Sequence, residues 1–121
     1  QFAYSDYLRS DFQLAVSGFR NYLLAYPGGS RAEEAQFYLA ESLYNLSDFD
    51  AAVEEYDKLL ERFPESPNRI NAMYKKGLAF LESNQTAQGV ILLQQLISRY
   101  PNSIEARLAR EKLRSLGLNP Q

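Results

Sequence analysis

The sequence predicts an all-α protein in which hairpins of helices stack into a right-handed α-α superhelix. Three observations carry this. Aromatic-proline pairs recur at Tyr26-Pro27, Phe63-Pro64 and Tyr100-Pro101, a step of 37 residues each time. A helix-stopping dipeptide at a constant interval marks one structural unit repeated. Side-chain size keeps the same interval: Ala15, Ala52 and Gly89 share one phase, Phe19, Tyr56 and Leu93 a second, Phe12, Phe49 and Thr86 a third, and Ala3, Ala40 and Gly77 a fourth. Small residues suit the points where two helices cross closely, and large ones fill the space beside the crossing. Finally, no run alternates polar and apolar residues in the manner of a half-buried strand.

Turn signals divide the chain into seven apolar-periodic segments, at about residues 2–9, 12–26, 31–46, 49–63, 67–83, 87–100 and 104–116. The first ends at Ser10-Asp11, and Asp11 reads as the N-cap of the second, as Asp48 does for the fourth one step later. The second ends at Pro27-Gly28-Gly29-Ser30. Ser30 and Glu33 have the spacing of a capping box at the start of the third, which ends at Ser47-Asp48. The fourth stops at Pro64-Glu65-Ser66-Pro67, where Ser66 reads as a cap with Pro67 at the first helical position, a place where a missing N–H costs nothing. Asn84-Gln85-Thr86 separates the fifth from the sixth. Ser103 reads as the cap of the last, with Glu105 near its positive end, and Gly117 ends it. Helices of this length joined by short turns lie antiparallel in pairs. Each pair has one apolar face left for the next, so the A helices line a concave wall and the B helices lie outside. The last segment carries apolar Ile104, Leu108 and Leu113 among many charges, as a terminal cover does. The chain thus reads as a single domain over 1–121, with repeats at about 1–29, 30–66 and 67–102 and a capping helix at about 103–117.

Composition narrows the function. The chain has 121 residues with 45% hydrophobic and 23% charged side chains, enough for one continuous core. Net charge is −2, with no basic field to hold a phosphate backbone, so nucleic-acid binding is not expected. No stretch is long and apolar enough to span a bilayer. The chain opens on an amphipathic segment at Gln1-Phe2-Ala3-Tyr4 and reads as an excised domain. Cysteine and histidine are both absent, which removes the thiol nucleophile, the imidazole base and the usual zinc ligands. No cofactor and no metal is expected. Glu34 and Glu41 stand two turns apart on one helix face, about 10 Å along the axis, within reach of acid-base geometry. Nothing else in the sequence supports catalysis, and the expectation is a non-enzymatic protein.

At this point the residues resemble the tetratricopeptide repeat, lengthened by three residues in its B-to-A loops. The second unit supplies Leu39-Ala40, Tyr44, Asp48-Phe49, Ala52, Tyr56 and Pro64. The third supplies Gly77, Phe80, Gly89, Leu93 and Pro101, with Thr86 in place of the aromatic and Gly89 in place of alanine. The first supplies Ala3, Tyr7, Phe12, Ala15, Phe19 and Pro27, with a shortened A helix. The Tyr-Pro-x-Ser loops, with Asp48-Phe49-Asp50-Ala51-Ala52 and Ala35-Gln36-Phe37-Tyr38-Leu39-Ala40-Glu41, are similar to the tetratricopeptide domain of the Tol-Pal-associated YbgF (CpoB) family. Outer-membrane assembly lipoproteins of the BamD type carry similar loops, along with more repeats and a lipidated cysteine that this sequence does not display. The resemblance implies a periplasmic adaptor in the Tol-Pal envelope and cell-division system, contacting TolA or a peptidoglycan-synthesis protein, and homo-oligomeric through a coiled coil upstream of Gln1. The alternatives are an outer-membrane assembly scaffold or a cytoplasmic adaptor.

Carried over by position, the partner-binding concave face falls on Glu34, Phe37, Glu41, Tyr44 and Asn45 in the second unit. In the third unit it falls on Asn71, Tyr74, Leu78, Leu81 and Glu82, and in the first on Tyr4 and Tyr7. Spacings of three, four and seven put these residues on one face of each A helix. Two readings stand for the aromatics: they fill seams between helices, or they present an amphipathic wall for a peptide, as tyrosine does at low entropic cost. The charges of the fourth segment, Glu54-Glu55, Asp57-Lys58 and Glu61-Arg62, read as a solvated outer face. Lys75-Lys76 reads as meeting a carboxylate of a neighbouring helix or of a partner. Self-association through apolar surface near Phe2 and Tyr4 is a rival use of the N-terminal end.

Overall fold

The structure is a computed structural model that describes residues 2–121; Gln1, at the head of the expected first repeat, lies outside the described residues. Seven helices follow one another: α1 (Phe2–Leu8), α2 (Phe12–Ala25), α3 (Ala32–Asn45), α4 (Phe49–Arg62), α5 (Arg69–Glu82), α6 (Thr86–Arg99) and α7 (Ile104–Ser115). No strand occurs among the described residues. Each helix packs on the next along the chain, and α1 also meets α3 and α5 meets α7. The molecule is therefore the expected stack, three A/B hairpins closed by α7, in a helical-repeat solenoid.

The 37-residue step is visible in the backbone. The three aromatic-proline sites are one turn built three times. The carbonyls of Tyr26, Phe63 and Tyr100 accept from the N–H of Gly29 (3.0 Å), Ser66 (2.9 Å) and Ser103 (3.1 Å), placing each proline at the second position, where its fixed φ suits the turn. The aromatic residues share nearly one conformation, φ −135°, −129° and −131° with ψ near 60°, because a following proline bars the α region. At the A-to-B turns Ser10, Ser47 and Asn84 have φ of 64°, 62° and 63°. The N–H of the next residue, Asp11, Asp48 or Gln85, reaches back to the carbonyl of Asp6, Leu43 or Phe80 at 2.8–2.9 Å. These are three left-handed helix ends of the Schellman type, a conformation that costs any residue with a Cβ. Ser47→Gly is accordingly expected to raise stability by about 0.5–1 kcal/mol, with relief of the strained φ outweighing glycine's greater unfolded-state freedom. Chemical denaturation of the two proteins checks this.

Of the five expected side-chain caps, four are not made. α3 begins one residue beyond Arg31, and no side chain caps it. Glu33 does not turn back on Ser30; its carboxylate accepts from the Ser66 hydroxyl and from Asn68 Nδ2 (3.0 Å). It thereby staples α3 to the following B-to-A loop. α5 likewise begins at Arg69, after Pro67, and Ser66 Oγ accepts from the Asn68 N–H (3.0 Å) within the loop. Asp11 and Asp48 stand at the N-cap positions, but neither carboxylate caps its helix. Ser103 does cap α7, accepting from the Ala106 N–H at 3.0 Å.

The core is made of the recurring positions. Ala15, Phe19, Ala40, Ala52, Tyr56 and Leu93 are sealed from solvent. At the third crossing both small residues are glycines, and a Cβ on Gly89 would stand 2.9 Å from the Gly77 carbonyl oxygen. The departure from alanine at this position thus lets the third hairpin close. Buried side chains form two clusters. One runs from Ala3 to Ala72, the other from Met73 to Leu113, and Leu60 packs against both. Glu55 departs from the expected solvated face: it is buried, and Gln36 Nε2 donates to its carboxylate (2.8 Å) and to its backbone carbonyl (2.9 Å).

Candidate functional site

The A-helix wall is built from the bottom of the stack upward. On α1, Tyr4 and Tyr7 are half-buried and stack on one another, with ring centroids 6.4 Å apart and planes inclined by 16°. Both meet Tyr38 of α3, at 5.1 Å and 4.9 Å, and Tyr7 also meets Phe12 edge-on at 5.7 Å. Offset and edge-on pairs of this kind add attraction beyond the area they bury. Tyr38 is the residue that sequence reasoning missed. It lies one position from Phe37, which is 6% exposed and packs edge-on against Tyr38 from within the core. The half-buried aromatic of this turn is therefore Tyr38, and Phe37 supports it from behind. Burial pushes the Tyr38 hydroxyl up to about 12, with the Tyr4 hydroxyl adding to the shift.

The middle of the wall is a polar network. Glu41 is 7% exposed and belongs to the interior more than to a binding surface. Its carboxylate accepts from the Tyr56 hydroxyl of α4 and from Lys75 Nζ of α5 at 3.1 Å and 3.4 Å. Lys75 also sits 4.9 Å from the centroid of the Tyr44 ring, a cation–π contact. Tyr44 is half-buried and meets Phe49 edge-on at 5.2 Å. Burial, then the nearby Glu82 charge, pushes its hydroxyl up to about 12. One helix, one step later, is thus tied to the preceding hairpin by a lysine. The expectation that Lys75 and Lys76 meet neighbouring carboxylates holds for both, since Lys76 pairs with Asp57 of α4 at 2.5 Å.

The remaining predicted residues divide by exposure. Glu34 is half-buried and pairs with Arg31 at 2.9 Å, so Glu34 and Glu41 are each engaged with a cation and do not form a free acid pair. Asn45 is exposed and donates to the Glu41 backbone carbonyl (2.8 Å). Asn71, Tyr74, Leu78 and Leu81 are half-buried along α5, and Glu82 is exposed. Leu81 packs against the second core cluster. Burial, followed by Glu111 of α7, raises the Tyr74 hydroxyl above its ordinary value. The structure therefore brings together Tyr4, Tyr7 and Tyr38 at one end and Glu41, Tyr44 and Lys75 in the middle. Among the described residues no group of His, Cys, Asp and Glu is placed to hold a metal ion, and no helix is long and apolar enough to cross a membrane.

A stack of short helix hairpins with a tyrosine-bearing wall defines a helical-repeat protein of the protein-interaction class, one that offers a folded surface to other chains. Residues 1–117 match the profile of the YfiO family, described as an outer membrane lipoprotein. The chain belongs to the YfiO outer membrane lipoprotein family. Of the two resemblances in the sequence, the match falls on the outer-membrane lipoprotein and not on the Tol-Pal protein. No curated protein matches the chain.

Proposed function

We propose that the chain is a non-enzymatic adaptor on the periplasmic side of the outer membrane, holding a segment of a protein partner against its A-helix wall during outer-membrane assembly. The observation that carries this is the row of half-buried tyrosines, Tyr4, Tyr7 and Tyr38 continuing to Tyr44 and Tyr74, on a fold belonging to an outer-membrane lipoprotein family. Tyrosine offers apolar area and a hydroxyl on two rotatable bonds, which suits capture of a helix or an extended strand. Glu34, Asn45, Asn71, Leu78 and Glu82 frame the row. Phe37 and Glu41 act from beneath it, one by packing and the other by holding Lys75 over Tyr44.

A second reading rests on the Tyr-Pro-x-Ser loops and on Asp48-Phe49-Asp50-Ala51-Ala52: the adaptor serves the Tol-Pal system and contacts TolA. One experiment addresses both. A photo-crosslinking residue at Tyr74 in living cells is expected to capture outer-membrane assembly components. Capture of TolA in their place reverses the choice. With the captured partner in hand, Tyr4→Ala and Tyr74→Ala are expected to weaken binding by about tenfold each, the loss of a moderate aromatic contact, while circular dichroism stays helical. Unchanged binding with both substitutions removes the tyrosine wall from the interaction.

A further inference from the structure

The opposite side of the stack carries a groove that the adaptor reading does not use. The B helices α2 and α4 do not pack on each other as their A neighbours do, and the gap between them is floored by α3. The groove has a volume of about 310 Å³, with Leu23, Leu24 and Leu39 as its apolar surface and Arg20, Lys58 and Arg62 among its lining residues. Leu24 is 83% exposed, the most exposed leucine of the chain's described residues. Of the three cations, Lys58 has a carboxylate partner, Glu55 at 3.3 Å, and that carboxylate is shared with Gln36. Arg20 and Arg62 are in no ion pair among the described residues.

The next hairpin supplies a comparison. A step of 37 residues maps Arg20 onto Asp57, Leu24 onto Glu61 and Lys58 onto Gln95, while Arg62 maps onto another arginine, Arg99. There, between α4 and α6, the equivalent groove is lined by Leu60, Met73, Leu92 and Gln95 together with Arg69 and Arg99, neither in an ion pair among the described residues. Asp57, in the place of Arg20, is neutralised by Lys76 of the same protein. One architecture thus occurs twice. The second copy keeps two cations, Arg69 and Arg99, but lacks the counterparts of Arg20, Lys58 and the exposed Leu24, while the first sets three cations against the single carboxylate of Glu55 beside that leucine, on a protein whose net charge is negative.

We infer that the α2–α4 groove docks an acidic amphipathic helix of a partner protein, its apolar stripe on Leu23 and Leu24 above the buried Leu39 and its carboxylates on Arg20, Lys58 and Arg62. The recessed floor favours a helix over a flat membrane surface: an inserted bilayer contact needs its apolar side chains foremost, whereas Leu39 lies at the bottom, buried. Charge complementarity supplies the sign of the partner, and apolar anchors between two helices are the usual way in which a third is held.

The test is a titration of the isotope-labelled protein with a synthetic amphipathic helix bearing leucine at positions i, i+4 and i+7 and glutamate beside them. The expected result is shifted amides at Arg20, Leu23, Leu24, Lys58 and Arg62. Binding should be about tenfold or more weaker for Arg20→Glu with Arg62→Glu and for Leu24→Ser, and unchanged for Tyr74→Ala. Arg20, Leu24 and Arg62 are exposed, and far-ultraviolet circular dichroism verifies that the fold persists in every variant. A control peptide with lysine for glutamate should not bind. Four results each overturn the inference: no binding of the acidic helix, equal binding of the lysine peptide, shifts confined to the tyrosine wall, or binding that survives both the charge reversal and Leu24→Ser. Sedimentation with vesicles of phosphatidylethanolamine and phosphatidylglycerol that depends on Arg20 and Arg62, without peptide binding, would reassign the groove to a lipid surface.

Discussion

Tyr56→Ala is expected to lower the unfolding free energy by about 3–5 kcal/mol, the range for deleting a large buried aromatic side chain. Tyr56 is 0% exposed and stands where α4 crosses α3, so the cavity opens in the middle hairpin, on which the other two stack. The deletion also removes the hydroxyl that donates to Glu41. Tyr56→Phe, which keeps the ring, is expected to cost less, about 1–2 kcal/mol, since Glu41 retains Lys75. The hydroxyl leaves a signature in pH. Burial, then the Glu41 charge and the hydrogen bond to it, raises Tyr56 well above its ordinary 10.0. Above that pH the unfolded chain releases this proton and the folded chain keeps it. Its contribution is therefore intact below pH 10 and lost as pH rises further, by roughly 1.4 kcal/mol per pH unit. Denaturant melts at pH 9 to 11 should show that fall, and Tyr56→Phe should flatten it. The slope left behind includes Tyr38 and Tyr44, each pushed up to about 12, and Tyr7 and Tyr74, which burial also raises. An unaltered slope in Tyr56→Phe would mean that Tyr56 ionises freely in the folded protein.

Glu41→Ala is expected to cost about 2–3 kcal/mol. Breaking one side of a buried pair costs more than the pair contributes, because the surviving charge and donor lose their partner. Lys75 keeps 24% of its side chain exposed and recovers some hydration, which places the effect below the upper range for sealed pairs. The double variant with Lys75→Met should be less unstable than the two single costs predict, with a coupling of about 1–2 kcal/mol in a double-mutant cycle. Strict additivity would show that the lysine and the glutamate do not act on each other across the α3–α5 boundary.

The sequence displays the helices plainly because the elements that end them are local. Proline after an aromatic residue bars the α region at Tyr26, Phe63 and Tyr100, and the serine or asparagine at each A-to-B turn takes the left-handed conformation in the same register. Crossing points were equally legible, since close approach admits only alanine or glycine at positions 15, 52 and 89. Caps were not. Ser30 and Ser66 have the right spacing in one dimension, but each loop delays the helix start, and Glu33 spends its carboxylate on residues 33 and 35 positions away. The wall was legible in outline and blurred in detail. Helical periodicity places Phe37 and Tyr38 within 100° of one another, and which of them is sealed depends on residues far along the chain, since Tyr38 meets Tyr4 and Tyr7 of α1. Such packing has no local signal. Glu55 was hidden for a similar reason: a carboxylate amid charges reads as solvated unless its partner, Gln36 on another helix, is known.

The division of the buried side chains into two clusters has a mechanical consequence. Leu60 packs against both, and two ion pairs tie the α5 side to the first hairpins: Glu41 with Lys75 and Asp57 with Lys76. Bending the array at this joint stretches charge contacts while Tyr56 and Leu93 stay dry on either side. Dissolved ions weaken such contacts and leave apolar ones intact, so added salt is expected to loosen this joint before it disturbs the packing on either side.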